Sequence, residues 1–264
     1  MPRDFTIFLW LLKLGAPVNL YLLASAFAWP AGAVDPRLLV PAVILFAVSA
    51  FRCLFPLRYE DQVVLHDSPL SSIFLTRLLA TFSEVAYIYL LSHVIRLLNV
   101  DQVGWVDALS WVMVLQVVIS QGFVWRAILT EQLAFYFYEE LGWFVIIAAN
   151  TIASSYLHAT VETQGGRELL LQVNLAFGAL YLPWQCIHLR ALLLDARAGG
   201  EAARPRAVSG QQLAAGLRRS IEVRNPRTDG ESWGGLVGLT WMVGYWATLI
   251  PLWMHLAVGA FAAP

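Results

Sequence analysis

AFYFYEELGWFVIIAANTIASS, residues 134–155, is the stretch on which the fold turns. It is as long and as apolar as a helix that crosses a bilayer, which takes about 20 residues. Yet it carries two adjacent carboxylates, Glu139 and Glu140, and an amide, Asn150. A carboxylate at the bilayer centre costs about 2.5 to 3.5 kcal/mol even on the lenient insertion scale, so such groups face the bundle interior and mark a pathway, a site or a pair. The stretch therefore predicts two things at once: a membrane span, and a polar site along one of its faces.

Six further runs of the same character flank it. The apolar segments fall at about 5–29, 38–56, 72–97, 105–127, 132–156, 169–192 and 233–260. Composition agrees, since 59% of the 264 residues are hydrophobic and 13% charged, with a mean hydropathy of +0.64. Soluble proteins are about half apolar and a quarter charged. The expected fold is all-α: a polytopic integral membrane bundle of about seven helices, forming a single transmembrane domain over residues 1–264. The first run is read as a span and not a cleaved leader, because Lys13 and Pro17 interrupt it and it is too long.

Arginine sets the expected orientation, because basic residues collect on the cytoplasmic side of membrane helices. With the N-terminus inside, Arg3, Arg52, Arg58, Arg77, Arg126, Arg190, Arg197, Arg204, Arg206, Arg218, Arg219, Arg224 and Arg227 fall at or near the cytoplasmic face, and Arg37, Arg96 and Arg167 face out. The C-terminus is then outside, and the membrane is expected to be an inner (plasma) membrane of bacterial type. Residues 196–232 form a cytoplasmic, arginine-rich loop. Within it GQQLAAGLRRSIEV reads as a short amphipathic helix with Leu213, Leu217 and Ile221 on one face. Anionic lipid headgroups are the partners expected there, at roughly 1 kcal/mol per arginine near the surface. The segment lacks interleaved aromatics and any recognition motif, so nucleic acid is not an expected partner, while a homo-oligomer stays open.

Several classes are excluded or left without support. A retinylidene protein needs a Schiff-base lysine on the seventh helix, and the chain's one lysine is Lys13 in the first. Zinc hydrolases and receptors with seven helices need several histidines beside a helix carboxylate and serine, whereas the seventh span offers only His255. Cys53 and Cys186 lie singly in apolar runs and read as core thiols. No cofactor motif or nucleotide-binding glycine loop is visible. His93, His158 and His255 fall near the outer ends of three spans with Glu162 close by, but their spacing is not a metal motif, and histidine suits the interface for its own reasons.

The polar residues inside the spans carry the functional reading. Glu84 lies about 18 Å along the third span, near midplane, with Arg77 seven residues earlier and two turns away on the same face. Glu139 and Asn150, eleven residues apart, share a face of the fifth span to within about 20°. Asn174, Tyr181, Gln185 and His188 form a stripe on the sixth. Gln121 and Arg126 fall in the same half of the fourth. These residues are expected to line a polar cavity open to the cytoplasm, with Arg77, Glu84, Gln121, Arg126, Glu139, Glu140, Asn150, Asn174, Gln185 and His188 as its substrate- or ion-binding groups. Two neighbouring carboxylates in a poorly hydrated place cannot both ionise cheaply. The expected function is a small transporter or channel in which buried glutamates bind or relay a cation or proton. The alternatives are a membrane-embedded enzyme acting on a lipid or isoprenoid at the cytoplasmic leaflet, with Glu139 or Glu140 and His188 as acid and base, and a pigment-binding or accessory subunit.

Overall fold

The structure, a computed structural model, describes residues 4–198 and 205–262. Arg3 and Arg204, counted in the orientation argument, lie outside the described residues. Seven helical segments are long and apolar enough to cross a membrane: Thr6–Phe27, Pro36–Leu54, Ile73–Leu98, Gly104–Thr130, Ala134–Thr160, Gly166–Ala198 and Gly235–Ala260. The protein is an all-helical integral membrane protein. Its exposed surface fits that reading, because large apolar side chains stand out along the spans, Leu180 at 77% and Phe27 at 71% among them. A water-soluble chain seldom shows such a surface.

The chain divides into two compact units, residues 1–87 with 217–264, and residues 88–216. In the first unit the opening span tightens midway, with Lys13 and Leu14 still in right-handed helical backbone. Helix α1 (Thr6–Leu12) ends in tight turns at Lys13 and Leu14, and α2 (Gly15–Phe27) follows. Helix α3 (Pro36–Leu54) starts where the Asp35 carboxylate accepts a hydrogen bond from Arg37 N and Pro36 takes the first helical turn. Two short strands, β1 (Leu57–Arg58) and β2 (Val63–Val64), pair antiparallel. Ser68 then caps a turn over Pro69–Ser71 by accepting from Leu70 N. Serine followed by proline can also open a helix, but here the pair makes one short turn, and α4 (Ile73–Leu98) begins directly after it.

Helix α4 gives its first half to this unit and its second half to the other. The second unit continues with α5 (Gly104–Thr130), α6 (Ala134–Thr160) and α7 (Gly166–Ala198). These pack in sequence order, α5 on α6 and α6 on α7, as short loops require. Without a hydrophobic driving force in lipid, close approach and polar contacts hold such helices together. Gly142 shows the close approach: a Cβ there would run into Ser120 Oγ of α5. Polar contacts join α4 to α5, where Arg96 Nη1 donates to Ser92 Oγ at 2.5 Å and to Ser110 Oγ at 3.0 Å, and Asn99 Nδ2 donates to Asp107 at 2.9 Å.

The arginine-rich segment folds into α8 (Gly210–Glu222), and Leu213, Leu217 and Ile221 are all exposed along it. Strand β3 (Asn225–Pro226) then joins β2 in parallel. With Trp233, fully buried and donating from Nε1 to Arg227 O at 2.8 Å, this three-stranded sheet caps the end of the first unit. Asp229 pins the cap by accepting from the backbone N–H and the hydroxyl of Ser232, which holds its carboxyl below the usual carboxylate range.

The last span is interrupted. Helix α9 (Gly235–Met242) passes into a π-turn over Val243–Ala247 and resumes as α10 (Leu249–Ala260). A π-turn frees carbonyls from the regular ladder, and inside a membrane each needs a new partner. Asn19 of α2, fully buried, supplies one, donating from Nδ2 to Trp246 O at 2.9 Å. Thr248 Oγ1 supplies another to Val243 O at 3.0 Å. Gly15 lets α2 meet the last span, since a Cβ there would lie 2.6 Å from both Ala247 Cβ and Cys53 Sγ.

Candidate functional site

The residues singled out from the sequence fall into two sets. In the first unit, Arg77 and Glu84 form an ion pair at 2.5 Å, with side chains 2% and 8% exposed. The spacing of seven residues places them two turns apart on one face of α4, and the long arginine closes the gap. Arg77 also lies over the Tyr59 ring, 5.4 Å from its centroid. Glu84 is held by the Arg77 guanidinium.

In the second unit, α6 and α7 turn their polar stripes toward each other. Gln185, fully buried, donates from Nε2 to Glu140 Oε2 at 2.8 Å and to the Glu140 carbonyl at 2.9 Å. Glu139 is buried beside it, and Ser120 Oγ of α5 reaches its carbonyl at 3.5 Å. Ten residues further along α6, about 15 Å at helical rise, Asn174 Nδ2 lies 3.4 Å from Asn150 Oδ1 and donates to Ser154 Oγ at 3.2 Å. Gln121 is buried on α5. Two polar clusters, Glu140 with Gln185 and Asn150 with Asn174 and Ser154, thus lie on the interface of α6 and α7.

The remaining members lie outside these clusters. His188 is half-buried and stacks on Trp184 at 5.0 Å between centroids and 12° between planes, with Tyr181 buried further along the same helix. Arg126 is exposed: Nη2 donates to Arg206 O at 2.9 Å and the guanidinium covers Phe135 at 4.8 Å. Its place near the end of α5 lets a long side chain reach out to the loop. The outer histidines are dispersed. His93 is buried and stacks on Tyr89, His158 is exposed and His255 is half-buried; among the described residues no three His, Cys, Asp or Glu gather to hold a metal ion.

Sequence reasoning misses Arg52. The charge bias counts it only as a cation at a span end, yet it is 5% exposed, lying 4.9 Å from the Trp246 ring centroid and 5.7 Å from that of Tyr59. A signal is present: no acidic residue occupies the positions three or four away on its helix, so nothing local could neutralise it. His66, outside the spans, gives no sign in the sequence beyond a place ahead of a helix start. It packs edge-on to Trp10, 5.6 Å between centroids, and burial, helped by the nearby Lys13 charge, pushes its pKa down.

The chain is thus an integral membrane protein with seven segments long and apolar enough to cross a membrane, and with polar and ionic groups inside the helix packing. No protein-family model, curated protein or solved structure matches it.

Proposed function

We propose that the protein is a small transporter or channel in which the polar interface of α6 and α7 conducts a cation or proton, with Glu139 and Glu140 as the groups that take it up. The observation that carries this reading is the fully buried Gln185 bonded to the Glu140 carboxylate, with the Asn150–Asn174–Ser154 cluster about 15 Å further along the same interface. Helix glue in membranes is Ser, Thr, Asn, Gln or His; adjacent glutamates at an interface are costly and mark pathways. Gln185 orients the Glu140 carboxylate, and the two neighbouring carboxyls exchange a proton or share a cation between them. The amide cluster gives a hydrated ion or a water chain its next acceptors. Glu84, neutralised by Arg77, takes no part in the uptake.

In the same proposal the N-terminus is cytoplasmic and the C-terminus outside, following the arginine bias, in an inner (plasma) membrane of bacterial type. The exposed Leu213, Leu217 and Ile221 of α8 rest on the cytoplasmic leaflet beside arginines that meet anionic headgroups. The test is flux. Purified protein in liposomes holding a pH-sensitive and a sodium-sensitive dye is given a potassium diffusion potential; internal pH or sodium should change faster than in empty liposomes. Rates equal to those of empty liposomes for both dyes would end the transport reading.

A further inference from the structure

The first unit buries more positive charge than it neutralises. Arg77 and Arg52 are 1% and 5% exposed, and among the described residues Glu84 is the carboxylate buried with them, bonded to Arg77. Arginine stays protonated in proteins, so Arg52 cannot escape its burial by losing a proton. Its Nη2 reaches only the Leu57 carbonyl, at 3.5 Å, which is the limit of a hydrogen bond. Nε and Nη1 are buried with no partner among the described residues. Ser49 Oγ, one turn earlier on the same face of α3, is likewise buried with no partner. The aromatic faces of Trp246 and Tyr59 stabilise the cation, but by less than an uncompensated buried charge costs.

We infer that Arg52 and Ser49 form an anion site that takes a singly charged phosphate oxyanion, as a lipid phosphodiester or dihydrogen phosphate presents. Among the described side chains the charge deficit is one unit, two guanidiniums against one carboxylate, and the ligand supplies it. Its oxygens accept from Nε, Nη1 and the Ser49 hydroxyl, all donors without partners. The setting fits a small anion: Arg52 is two residues from the end of α3 and lies against Trp246 of the last span. It is also where the first and last spans meet, because Trp246 belongs to the π-turn of the last span and Gly15, at the start of α2, packs on Cys53, the neighbour of Arg52. Interrupted helices are where membrane proteins place small charged ligands. The inference stands apart from the carboxylates of the second unit.

The test is thermal melting of the full-length protein in an uncharged detergent free of phosphate, under mildly acidic conditions. In one arm chloride is exchanged for inorganic phosphate at constant ionic strength; in the other, phosphatidylglycerol is added to the micelles. A saturable rise in melting temperature in the first arm identifies free phosphate as the source, and a rise confined to the second identifies a lipid headgroup. In either case Arg52→Gln should weaken the apparent affinity by about tenfold or more. Arg52→Lys keeps the charge and loses the fork, so it should fold and respond more weakly than the native protein. No response in either arm overturns the inference, as does a response that Arg52→Gln and Arg52→Lys both leave unchanged.

Discussion

Replacing Glu84 by glutamine removes one charge and almost no volume, so its effect reports the worth of the buried pair. In the native protein the Arg77–Glu84 contact is 2.5 Å and both side chains are nearly sealed, at 2% and 8% exposure. The substituted amide can still accept one hydrogen bond, but the guanidinium keeps its charge, since arginine does not deprotonate. The Tyr59 hydroxyl, 3.5 Å from Nη1, is too far to replace a carboxylate, and the cation–π contact with the Tyr59 ring is present before and after. Breaking one side of a buried pair costs about 3 to 5 kcal/mol. At about 2 to 4 °C per kcal/mol for a chain of this size, Glu84→Gln should lower the melting temperature by roughly 6 to 20 °C. The double change Arg77→Met with Glu84→Leu removes both charges and should recover most of that loss, because apolar replacement of a buried pair is often neutral or better. Tryptophan-fluorescence melting in detergent measures native, single and double variants alike. A Glu84→Gln protein within about 1 °C of native, or a double variant no better than the single, would refute the ion-pair reasoning.

Other parts of the fold set three further outcomes. Single cysteines introduced on a Cys186→Ser background should be reached from the cytoplasmic side at Ala198 and Gly210 and from the outer side at Gly165 and Ala262; labelling of Gly210 and Gly165 from one side would overturn the arrangement. Gly142→Val places its side chain on Ser120 Oγ and should cost about 1 to 3 kcal/mol by overpacking α5 against α6, read as a lower melting temperature, whereas unchanged melting would mean that the helices are not in contact there. His66 has a folded pKa pushed below its ordinary 6.5, so the unfolded chain takes up the proton first and stability should fall as pH drops from about 6.5 toward the folded pKa, then level off. In His66→Phe, which keeps the packing on Trp10, that acid-side loss should shrink; an unchanged pH profile would remove His66 from the account.

Much of the fold was legible because membrane spans are a matter of length and apolarity, and all seven segments lie within a few residues of the runs read from the sequence, apart from the sixth, which extends further at its C-terminal end. The polar face of α7 was legible for a related reason: Asn174, Tyr181 and Gln185 recur at helical spacing, and all three are buried. The irregular turns of the first and last spans carry a signal in Pro17 and Pro251, which stand four residues after Lys13 and Ala247 and take a bond from the helical ladder at each; the part of Asn19, 227 residues away, in catching the Trp246 carbonyl was not legible. The burial of Arg52 was hidden because it depends on a cap built from two-residue strands at Leu57–Arg58, Val63–Val64 and Asn225–Pro226, too short to leave a periodic signal. Whether Arg126 faces in or reaches out was not legible, because a residue near a helix end can do either and periodicity does not say which; in the structure it is exposed and reaches the Arg206 carbonyl.

The most direct test of the transport reading is the flux of Glu139→Gln with Glu140→Gln, made together, beside the native protein in the same liposomes. An amide at position 140 can still accept from Gln185, so melting should stay close to native, while removal of both titratable groups should cut proton or cation flux by about tenfold or more. A folded double variant that conducts as fast as the native protein would contradict the claim that the interface of α6 and α7 is the path.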